Sequence, residues 1–195
     1  MGAAHDWDLE AERFDEQPDH GLQDPAVRAA WSRLLLPLMP RPVARIADLG
    51  CGTGSVTLLL AESGHVVTGV DISPAMVARA RDKLDAAGVD AEVGVGDATA
   101  LRLERGSFDV VMTRHVLWAL DDPDDAIAHW VDLLAPGGLL LLVEGLWGTG
   151  AGMADSTVAE LVLRHRLEAE VIPLHDPQLW GGPVDDERYA VLSRR

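Results

Sequence analysis

Three closely spaced glycines follow an apolar run in the segment RIADLGCGTGSVTLLL, residues 45–60. They are Gly50, Gly52 and Gly54. Because glycine loses more conformational entropy on folding than any other residue, such a cluster indicates a backbone with positive φ, or a close approach by another group. Asp48 adds a carboxylate two positions before Gly50. The segment therefore predicts a turn that binds a ligand and that side chains would obstruct.

Two further carboxylates end apolar runs downstream of the glycines. Asp71 ends the run in VVTGVDIS, and Asp97 follows the run in VGVGDATA. A carboxylate at the tip of the strand next to a glycine turn can accept both hydroxyls of a ribose. Ile72 is then placed to cover an adenine, and Asp97 is placed to accept from an exocyclic amine. These residues predict an adenosine-containing ligand.

The glycine spacing differs from the spacings that bind the common nucleotide cofactors. It is G-x-G-x-G, whereas the dinucleotide fingerprint is G-x-G-x-x-G, and Ser55 stands where its third glycine would be. The lysine of a phosphate-binding P-loop is also absent. Asp48 would repel a pyrophosphate and would suit a cationic ammonium group. The turn is therefore predicted to receive a cationic ligand.

The elements that must position these groups alternate between apolar runs and amphipathic segments, which is typical of a parallel sheet flanked by helices. The glycines then lie between the first strand and its helix, where free amides face the carboxyl edge of the sheet. Strands are predicted at 43–49, 65–70, 90–95, 108–113, 138–144, 169–176 and 187–194, and helices at 25–38, 74–87, 123–135 and 154–169, with one more after the glycines.

Composition excludes several classes of function. The formal net charge is −16, which argues against binding to DNA, RNA or anionic lipid, because those partners require clusters of Lys and Arg. The longest apolar run, residues 137–145, is too short to span a bilayer. The N-terminus does not resemble a secretory signal, so we expect a cytoplasmic protein. A single cysteine and the spacing of the histidines predict no disulfide and no metal site.

Five segments occur in order over about residues 43–145: ADLGCGTG, GVDIS, GDAT, FDVVMTRHVLWAL and LAPGGLLLLVEG. Together they resemble the class I S-adenosylmethionine-dependent methyltransferases. The resemblance implies an α/β fold with a Rossmann-like, doubly wound seven-stranded sheet, mostly parallel with an antiparallel last strand. It also implies S-adenosyl-L-methionine as cofactor and S-adenosyl-L-homocysteine as product.

The activity that this resemblance implies is methyl transfer to an oxygen or nitrogen of a small molecule, such as a secondary metabolite. Two alternatives stay open. One is a nicotinamide-dependent reductase on a dinucleotide fold, which the glycine spacing and Asp48 disfavour. The other is a catalytically silent module that binds S-adenosylmethionine and acts through a partner. The sequence does not predict an oligomeric state.

By resemblance, Gly50 and Gly52 let the methionine part of the cofactor lie against the backbone, and Asp48 is directed toward its amino group. Cys51 lies beside the cofactor by its position in the motif, but no basic neighbour would make it a thiolate nucleophile. Asp48 as a local cap stays open as an alternative, as does Gly54 serving only the packing of helix on strand.

The same resemblance assigns the adenosine part to the next two strand ends. Asp71 would hold the ribose hydroxyls, and Ile72 and Met76 would border the adenine. Asp97 and the Ala98 amide would bind the adenine edge. Met76 is also one of several apolar residues on its helix, so a role in the core alone stays open.

The acceptor is expected beside the segment TRHVLWAL, at the end of the fourth strand, where this family commonly positions its substrate. His115 is predicted to act as a base or to orient the acceptor, with an intrinsic pKa of about 6.5. Arg114 is predicted to clamp a carboxylate or phosphate. A structural role for His115 and an ion pair for Arg114 stay open.

A cover over the site is predicted from the N-terminus. Residues 1–40 are expected to form a helical cover segment packed on a methyltransferase domain of residues 41–195, within a single structural domain overall. Phe14 could stack on the ligand, and His20 is a second candidate for proton acceptance. A loosely packed tail is the alternative. Segments 145–153 and 177–186 are further cover candidates, and the tryptophans predicted as pocket walls or plain packing are Trp7, Trp31, Trp147 and Trp180.

Overall fold

A computed structural model describes the backbone of residues 3–195 and the side chains from Asp6 onward; residues 1 and 2 of the predicted cover segment lie outside the described residues. Within this range the strands form one seven-stranded sheet. The strands are β1 (Arg45–Leu49), β2 (Val66–Asp71), β3 (Glu92–Val95), β4 (Phe108–Arg114), β5 (Leu134–Leu146), β6 (Glu170–Pro173) and β7 (Glu187–Ser193).

The strand order is β3-β2-β1-β4-β5-β7-β6. The first five strands pair in parallel, and β7 lies antiparallel between β5 and β6. This confirms the predicted mostly parallel sheet with an antiparallel last strand. The strand order reverses between β1 and β4, and a crevice opens at the carboxyl ends of parallel strands at such a point.

Helices cover both faces of this sheet. Pro74 begins the longest of them, and the Ser73 side chain caps it by accepting a hydrogen bond from the Met76 amide at 3.1 Å. The helices are α1 (Ala3–Glu10), α2 (Pro18–Gly21), α3 (Pro25–Leu35), α4 (Ser55–Glu62), α5 (Pro74–Ala87), α6 (Pro123–Leu133) and α7 (Asp155–Leu163).

The core is divided between the two faces of the sheet. On one face α3 and α4 pack against β1, β4 and β5, with Trp31 fully buried. On the other face α6 and α7 pack against the same strands, with Trp130 fully buried. The central strands β1, β4 and β5 are mostly apolar because both of their faces are covered.

The boundaries differ from prediction where the chain turns. The helix predicted to end at 38 ends at Leu35 and continues as a short 3₁₀ turn, in which Pro37 offers no amide hydrogen. The helix predicted to end at 169 ends at Leu163. Beyond it, Arg166 donates to the Ser193 hydroxyl at 3.0 Å, tying this segment to the end of β7. Residues 1–40 were predicted to form a helical cover segment, but the bounds of α1 and α2, which are short and lie in a polar stretch, were not predicted.

Candidate functional site

A cavity of about 380 Å³ lies at the carboxyl ends of β1, β2 and β4. It runs from the glycine turn to the segment that follows β5. The structure brings most of the predicted site residues to its wall, while Asp48 and Cys51 lie outside it. The predicted residues that line it are Phe14, His20, Gly50, Gly52, Asp71, Ile72, Met76, Asp97, Ala98, Arg114 and His115.

The glycine turn between β1 and α4 has the positive φ angles that the sequence suggested. They are 70° at Gly50, 56° at Gly52 and 76° at Gly54. A Cβ atom on Gly50 would lie 2.3 Å from the Val116 side chain, and one on Gly52 would lie 3.1 Å from the Phe14 ring. The turn therefore needs glycine for its backbone angles and for the groups packed against it.

Asp71, at the end of β2, holds this turn in place. Its Oδ2 accepts a hydrogen bond from the Gly52 amide at 2.8 Å, and its Oδ1 accepts one from the Ser73 amide at 2.9 Å. Burial raises the pKa of Asp71, and the two amide hydrogen bonds oppose that shift. Ile72 is half-buried beside it, and Met76 is buried on α5. The carboxylate, the isoleucine and the methionine thus face one end of the cavity.

Asp97 and Ala98 occupy a turn just after β3. The Asp97 Oδ1 accepts hydrogen bonds from the Thr99 amide at 2.8 Å and from its hydroxyl at 2.7 Å. The Ala98 carbonyl accepts one from the Trp130 indole at 2.8 Å. These contacts fix the turn against α6, so that both residues border the same cavity as Asp71.

Asp48 and Cys51 have different surroundings. The Asp48 carboxylate is buried and accepts a hydrogen bond from the Thr57 hydroxyl at 2.6 Å, and burial raises its pKa to about 6. The Cys51 sulfur lies against Gly69 on β2, 3.0 Å from where a Cβ on that glycine would be. Burial raises the pKa of the Cys51 thiol well above its usual range. A thiol in such surroundings is a poor nucleophile.

The chain turns sharply where β4 ends. His115 has a φ of +59°, in the left-handed region, and its amide donates to the Val143 carbonyl at 2.9 Å. The next two amides, of Val116 and Leu117, donate to Oε1 of the buried Glu144 at 3.0 and 2.8 Å. A non-glycine residue in this conformation persists when its surroundings fix it. Glu144 therefore positions the segment that carries His115.

Sequence reasoning missed Glu144, although a signal for it was present. It is the one carboxylate within the apolar run of β5. Its exposed fraction is 0%, and buried carboxylates are rare unless they bind something. Trp118, in the segment TRHVLWAL that spans the end of β4, also lines the cavity.

The rings of His20 and His115 lie edge to face at the cavity wall, with their centroids 6.0 Å apart. His20 stacks on Phe14 at a centroid distance of 4.3 Å. Within residues 3–195, neither His115 Nε2 nor His20 Nδ1 has a hydrogen-bond partner, although both atoms are buried. Burial lowers the pKa of both imidazoles, that of His115 well below its ordinary value. Both rings are therefore neutral at pH 7, with nitrogens that can bind a ligand.

Arg114 lies beside these imidazoles, and protein groups already contact its guanidinium. It donates to the Asp19 carbonyl and lies over the Trp31 ring, with Cζ 5.0 Å from the ring centre. Burial lowers the pKa of Arg114, while the negative charges nearby raise it. Both contacts tie the end of β4 to the N-terminal segment.

The structure also brings together three groups whose spacing in the sequence gave no sign of a metal site. Asp19, His20 and His115 each place a ligand atom within 4.8 Å of the others, a set that could hold a metal ion. The charges of Arg114 and Arg188 act on both imidazoles and lower their pKa values. The same positive charges oppose a divalent cation at this place.

The N-terminal segment is bonded to the elements around the glycine turn. The Asp8 Oδ1 accepts hydrogen bonds at the start of α5, from the Ser73 hydroxyl at 2.5 Å and from a backbone amide. Asp15 accepts one from the Thr53 hydroxyl at 2.5 Å and pairs with Lys83 at 2.9 Å. These contacts bring Phe14 and His20 over the cavity.

We expect Glu144→Ala to lower the free energy of unfolding by about 2–4 kcal/mol, because two buried amides lose their acceptor. Glu144→Gln keeps an oxygen at the position of Oε1 and should lower it by less than about 1 kcal/mol. Chemical denaturation of both variants measures the difference. Equal loss in the two variants would contradict the assigned role of Oε1.

Stability should also depend on pH through Glu144. Burial raises its pKa from 4.5 to about 8. Between these values the unfolded chain has lost the proton that the folded chain keeps, so the free energy of unfolding falls as pH rises. From pH 7 to 8 we expect a fall of about 1 kcal/mol. Glu144→Gln should remove this slope, and a slope that persists in the variant would assign it to another group.

Comparison with known proteins agrees with this architecture. The sequence profile of the family described as "Methyltransferase domain" matches residues 47–142, a range that extends from β1 into β5. This range contains the glycine turn, Asp71, Asp97 and His115, and the sheet carries the antiparallel β7. The chain belongs to the class I S-adenosylmethionine-dependent methyltransferases.

Individual methyltransferases resemble the chain over much of its length. Demethylmenaquinone methyltransferase of Thermus thermophilus is 36% identical over 117 residues, which are 58% of this chain and 53% of that protein. Ubiquinone biosynthesis O-methyltransferase of Xanthomonas euvesicatoria is 33% identical over 160 residues, 81% of this chain and 63% of that protein. The chain spans about half the length of the curated relatives it matches.

Among solved structures, the cyclase SpnF superimposes with a TM-score of 0.75, covering 86% of this chain and 81% of that chain. The two sequences are 20% identical, so the likeness concerns the fold. The shared fold agrees with the methyltransferase sheet described above.

In the described residues, no helix is long and apolar enough to cross a membrane.

The cofactor of this methyltransferase family fits the cavity by one direct test. Gly50 and Gly52 line the cavity without side chains, and Asp71 and Asp97 border the same space. A bare backbone and two carboxylates suit the methionine part, the ribose and the adenine of S-adenosylmethionine. The sequence and the cavity therefore agree on the class of ligand.

Proposed function

We propose that the chain transfers a methyl group from S-adenosylmethionine to an oxygen or nitrogen atom of a small organic molecule. The observation that carries this proposal is a single cavity that joins the glycine turn and Asp71 to His20 and His115. One end has the groups that suit the cofactor. The other has apolar walls and two neutral imidazoles, which suit an acceptor.

In this proposal Gly50 and Gly52 leave room for the methionine part, and Asp71 accepts hydrogen bonds from the ribose hydroxyls. Asp97 and the Ala98 amide bind the adenine edge, beside Ile72 and Met76 as predicted. Asp48 would act through water or through the shape of the turn, because its carboxylate lies outside the cavity. When bound, the cofactor supplies an electrophilic methyl group and leaves as a neutral thioether.

The chain's own residues then position the acceptor and exclude water. Because the transferred methyl group is already activated, catalysis rests mainly on bringing the acceptor close to it. His115 Nε2 or His20 Nδ1 would receive the acceptor's proton where it has one to lose. Arg114 would serve mainly to fix this end of the cavity, because its guanidinium already contacts Asp19 and Trp31.

The names of two relatives support a small acceptor, since one refers to demethylmenaquinone and the other to ubiquinone biosynthesis. The net charge of −16 also favours a small molecule over nucleic acid. We further propose that residues 1–40 act as a cover on a methyltransferase domain of residues 41–195. The contacts of Asp8 and Asp15 with α5 and the glycine turn support this division.

Equilibrium dialysis against S-adenosylhomocysteine and, separately, against NADH tests the cofactor. We expect the protein to retain the first and not the second, because the turn has the wrong spacing for a pyrophosphate. Retention of NADH alone would replace the proposal with a reductase. Binding of S-adenosylhomocysteine without methyl transfer to any acceptor in a broad panel would favour the silent module.

We expect His115→Ala to lower turnover by about 100-fold or more with little change in cofactor affinity, since a base acts in the transition state. His115→Gln should recover part of the rate if orientation matters, and almost none if proton removal does. Steady-state kinetics on an accepted substrate, with calorimetry of S-adenosylhomocysteine binding, measures both effects. His129→Ala, at an exposed histidine, is the matched control and should behave as the parent.

Full activity in both His115 variants would make this residue structural. Proton acceptance would then be assigned to His20, whose Nδ1 is also buried without a partner among the described residues. His20→Ala on its own should then reproduce the loss of turnover.

A further inference from the structure

The end of the cavity beyond His115 has flat aromatic walls. The His115 ring meets Trp147 edge to face at a centroid distance of 5.3 Å, and Trp147 meets Trp118 at the same distance. On its other side His115 stacks over Trp180 at 6.1 Å, with an interplanar angle of 20°. We call His115, Trp118 and Trp147 the aromatic slot. Its surfaces suit a flat ring, which gains from offset or edge contacts with other rings.

The hydrogen-bonding groups of this slot are largely committed to the protein. The Trp118 indole donates to the His115 carbonyl at 2.9 Å, and behind the slot the Trp180 indole donates to the Leu174 carbonyl at 3.0 Å. The buried atoms without a partner among the described residues include His115 Nε2 at the slot and His20 Nδ1 across from it. A bound molecule would therefore meet apolar rings and a small polar region formed by the two imidazoles.

The charges around the slot favour one kind of polar group. The Arg188 guanidinium lies behind the rings, with Cζ 4.8 Å from the centre of Trp180 and 5.7 Å from that of Trp147. It pairs with Asp186, at 2.6 Å from Nε to Oδ1. A ring that already faces a guanidinium is a poorer partner for a second cation. Arg114 adds a further positive charge beside His115, and Asp19 partly offsets it near His20.

We propose that the acceptor is a flat, unsaturated molecule that presents a hydroxyl group, a phenol or an enol, to His115 and His20, and that amines are disfavoured. This inference rests on the proposed methyl transfer and names its acceptor class. The hydroxyl donates its hydrogen to an imidazole nitrogen, which keeps the proton as the oxygen forms its bond to the methyl carbon and the bond between that carbon and the sulfonium sulfur breaks. The positive charge lost by the cofactor then resides on the imidazolium until solvent takes the proton.

The test compares three probes of similar size: 4-methylphenol, 4-methylbenzylamine and 4-methylcyclohexanol. Each is titrated by ligand-observed NMR into the protein saturated with S-adenosylhomocysteine. We expect the phenol to bind at least about tenfold more tightly than the ammonium ion, because of the positive charges behind the slot. The affinity for 4-methylphenol should also be about threefold or more higher than the affinity for 4-methylcyclohexanol, because only a flat ring stacks.

Two variants locate the effect. Trp147→Ala should weaken binding of 4-methylphenol by about threefold to tenfold without changing the affinity for S-adenosylhomocysteine. Arg188→Met should reduce the preference for the phenol over the ammonium ion by about threefold or more. Leu167→Ala, at a side chain that is 86% exposed, is the control and should change neither quantity.

Equal or tighter binding of the amine would overturn the inference, as would no detectable binding of the phenol up to roughly 10 mM. Unchanged phenol binding in Trp147→Ala would also overturn it. Each of these results leaves the proposed methyl transfer in place as long as S-adenosylhomocysteine still binds. Failure to bind S-adenosylhomocysteine would instead count against the proposed function itself.

Discussion

Asp71→Ala is expected to reduce the affinity for S-adenosylhomocysteine by at least about 100-fold. Hydrogen bonds to a charged group contribute about 1.5–3 kcal/mol each, so the loss of two ribose contacts accounts for an effect of this size. The structure adds a second cause, because the same carboxylate accepts from the Gly52 and Ser73 amides. Calorimetric titration of the purified variant measures the change.

The two causes can be separated by comparing variants. Asp71→Asn keeps the size of the side chain and one acceptor oxygen, so it should melt closer to the parent than Asp71→Ala does. It should still bind the cofactor poorly, because an amide can accept through only one of its two terminal atoms. Asp82→Ala, at an exposed aspartate on α5, is the control. Parent-like affinity in Asp71→Ala would remove the ribose assignment.

Gly52→Val is expected to abolish measurable cofactor binding. A β-branched side chain at a φ of +56° is strained by about 1–3 kcal/mol. Its Cβ would also lie 3.1 Å from the Phe14 ring, so the valine would either displace Phe14 or crowd the part of the cavity that we assign to the methionine part. Equilibrium dialysis with S-adenosylhomocysteine tests binding, and thermal melting tests the fold.

Gly94→Ala is the matched control for this substitution. A Cβ on Gly94, in β3, would have no heavy atom within 4 Å among the described residues. That variant should bind and melt as the parent does. If Gly52→Val also binds the cofactor and melts normally, the site has been placed at the wrong turn.

Much of the fold could be predicted from the sequence because its signals are local. The apolar runs of β1, β4 and β5 are unmistakable, since both faces of these strands are covered. Ser73 and Pro74 marked the start of α5, and the predicted end at residue 87 agrees with the structure. The bounds of α1 and α2 within the predicted helical segment were not predicted, because their positions depend on contacts such as those of Asp8 and Asp15 with distant parts of the chain.

The candidate site also contains residues that local motifs predict and residues whose positions depend on distant contacts. The glycine turn and Asp71 belong to short motifs, so their proximity could be predicted. His115 and His20 were each predicted as candidate proton acceptors, but their proximity was not predicted, because it depends on how the N-terminal segment crosses the cavity. The direction of the Asp48 side chain, toward Thr57 and away from the cavity, is set by packing between β1 and α4. No local pattern specifies it.

The residues of the aromatic slot lie in segments that follow the strands and are not part of the sheet. Trp118 follows the end of β4 and Trp147 follows the end of β5, so both lie outside the strands. By contrast, Asp71 is within β2 and also fastens the glycine turn. Substitutions of Trp118 and Trp147 should therefore break few hydrogen bonds between strands. Substitutions at the glycine turn, by contrast, should disturb the carboxyl ends of the strands. A lineage carrying this fold could exchange one acceptor for another by mutation while its use of the cofactor stays intact.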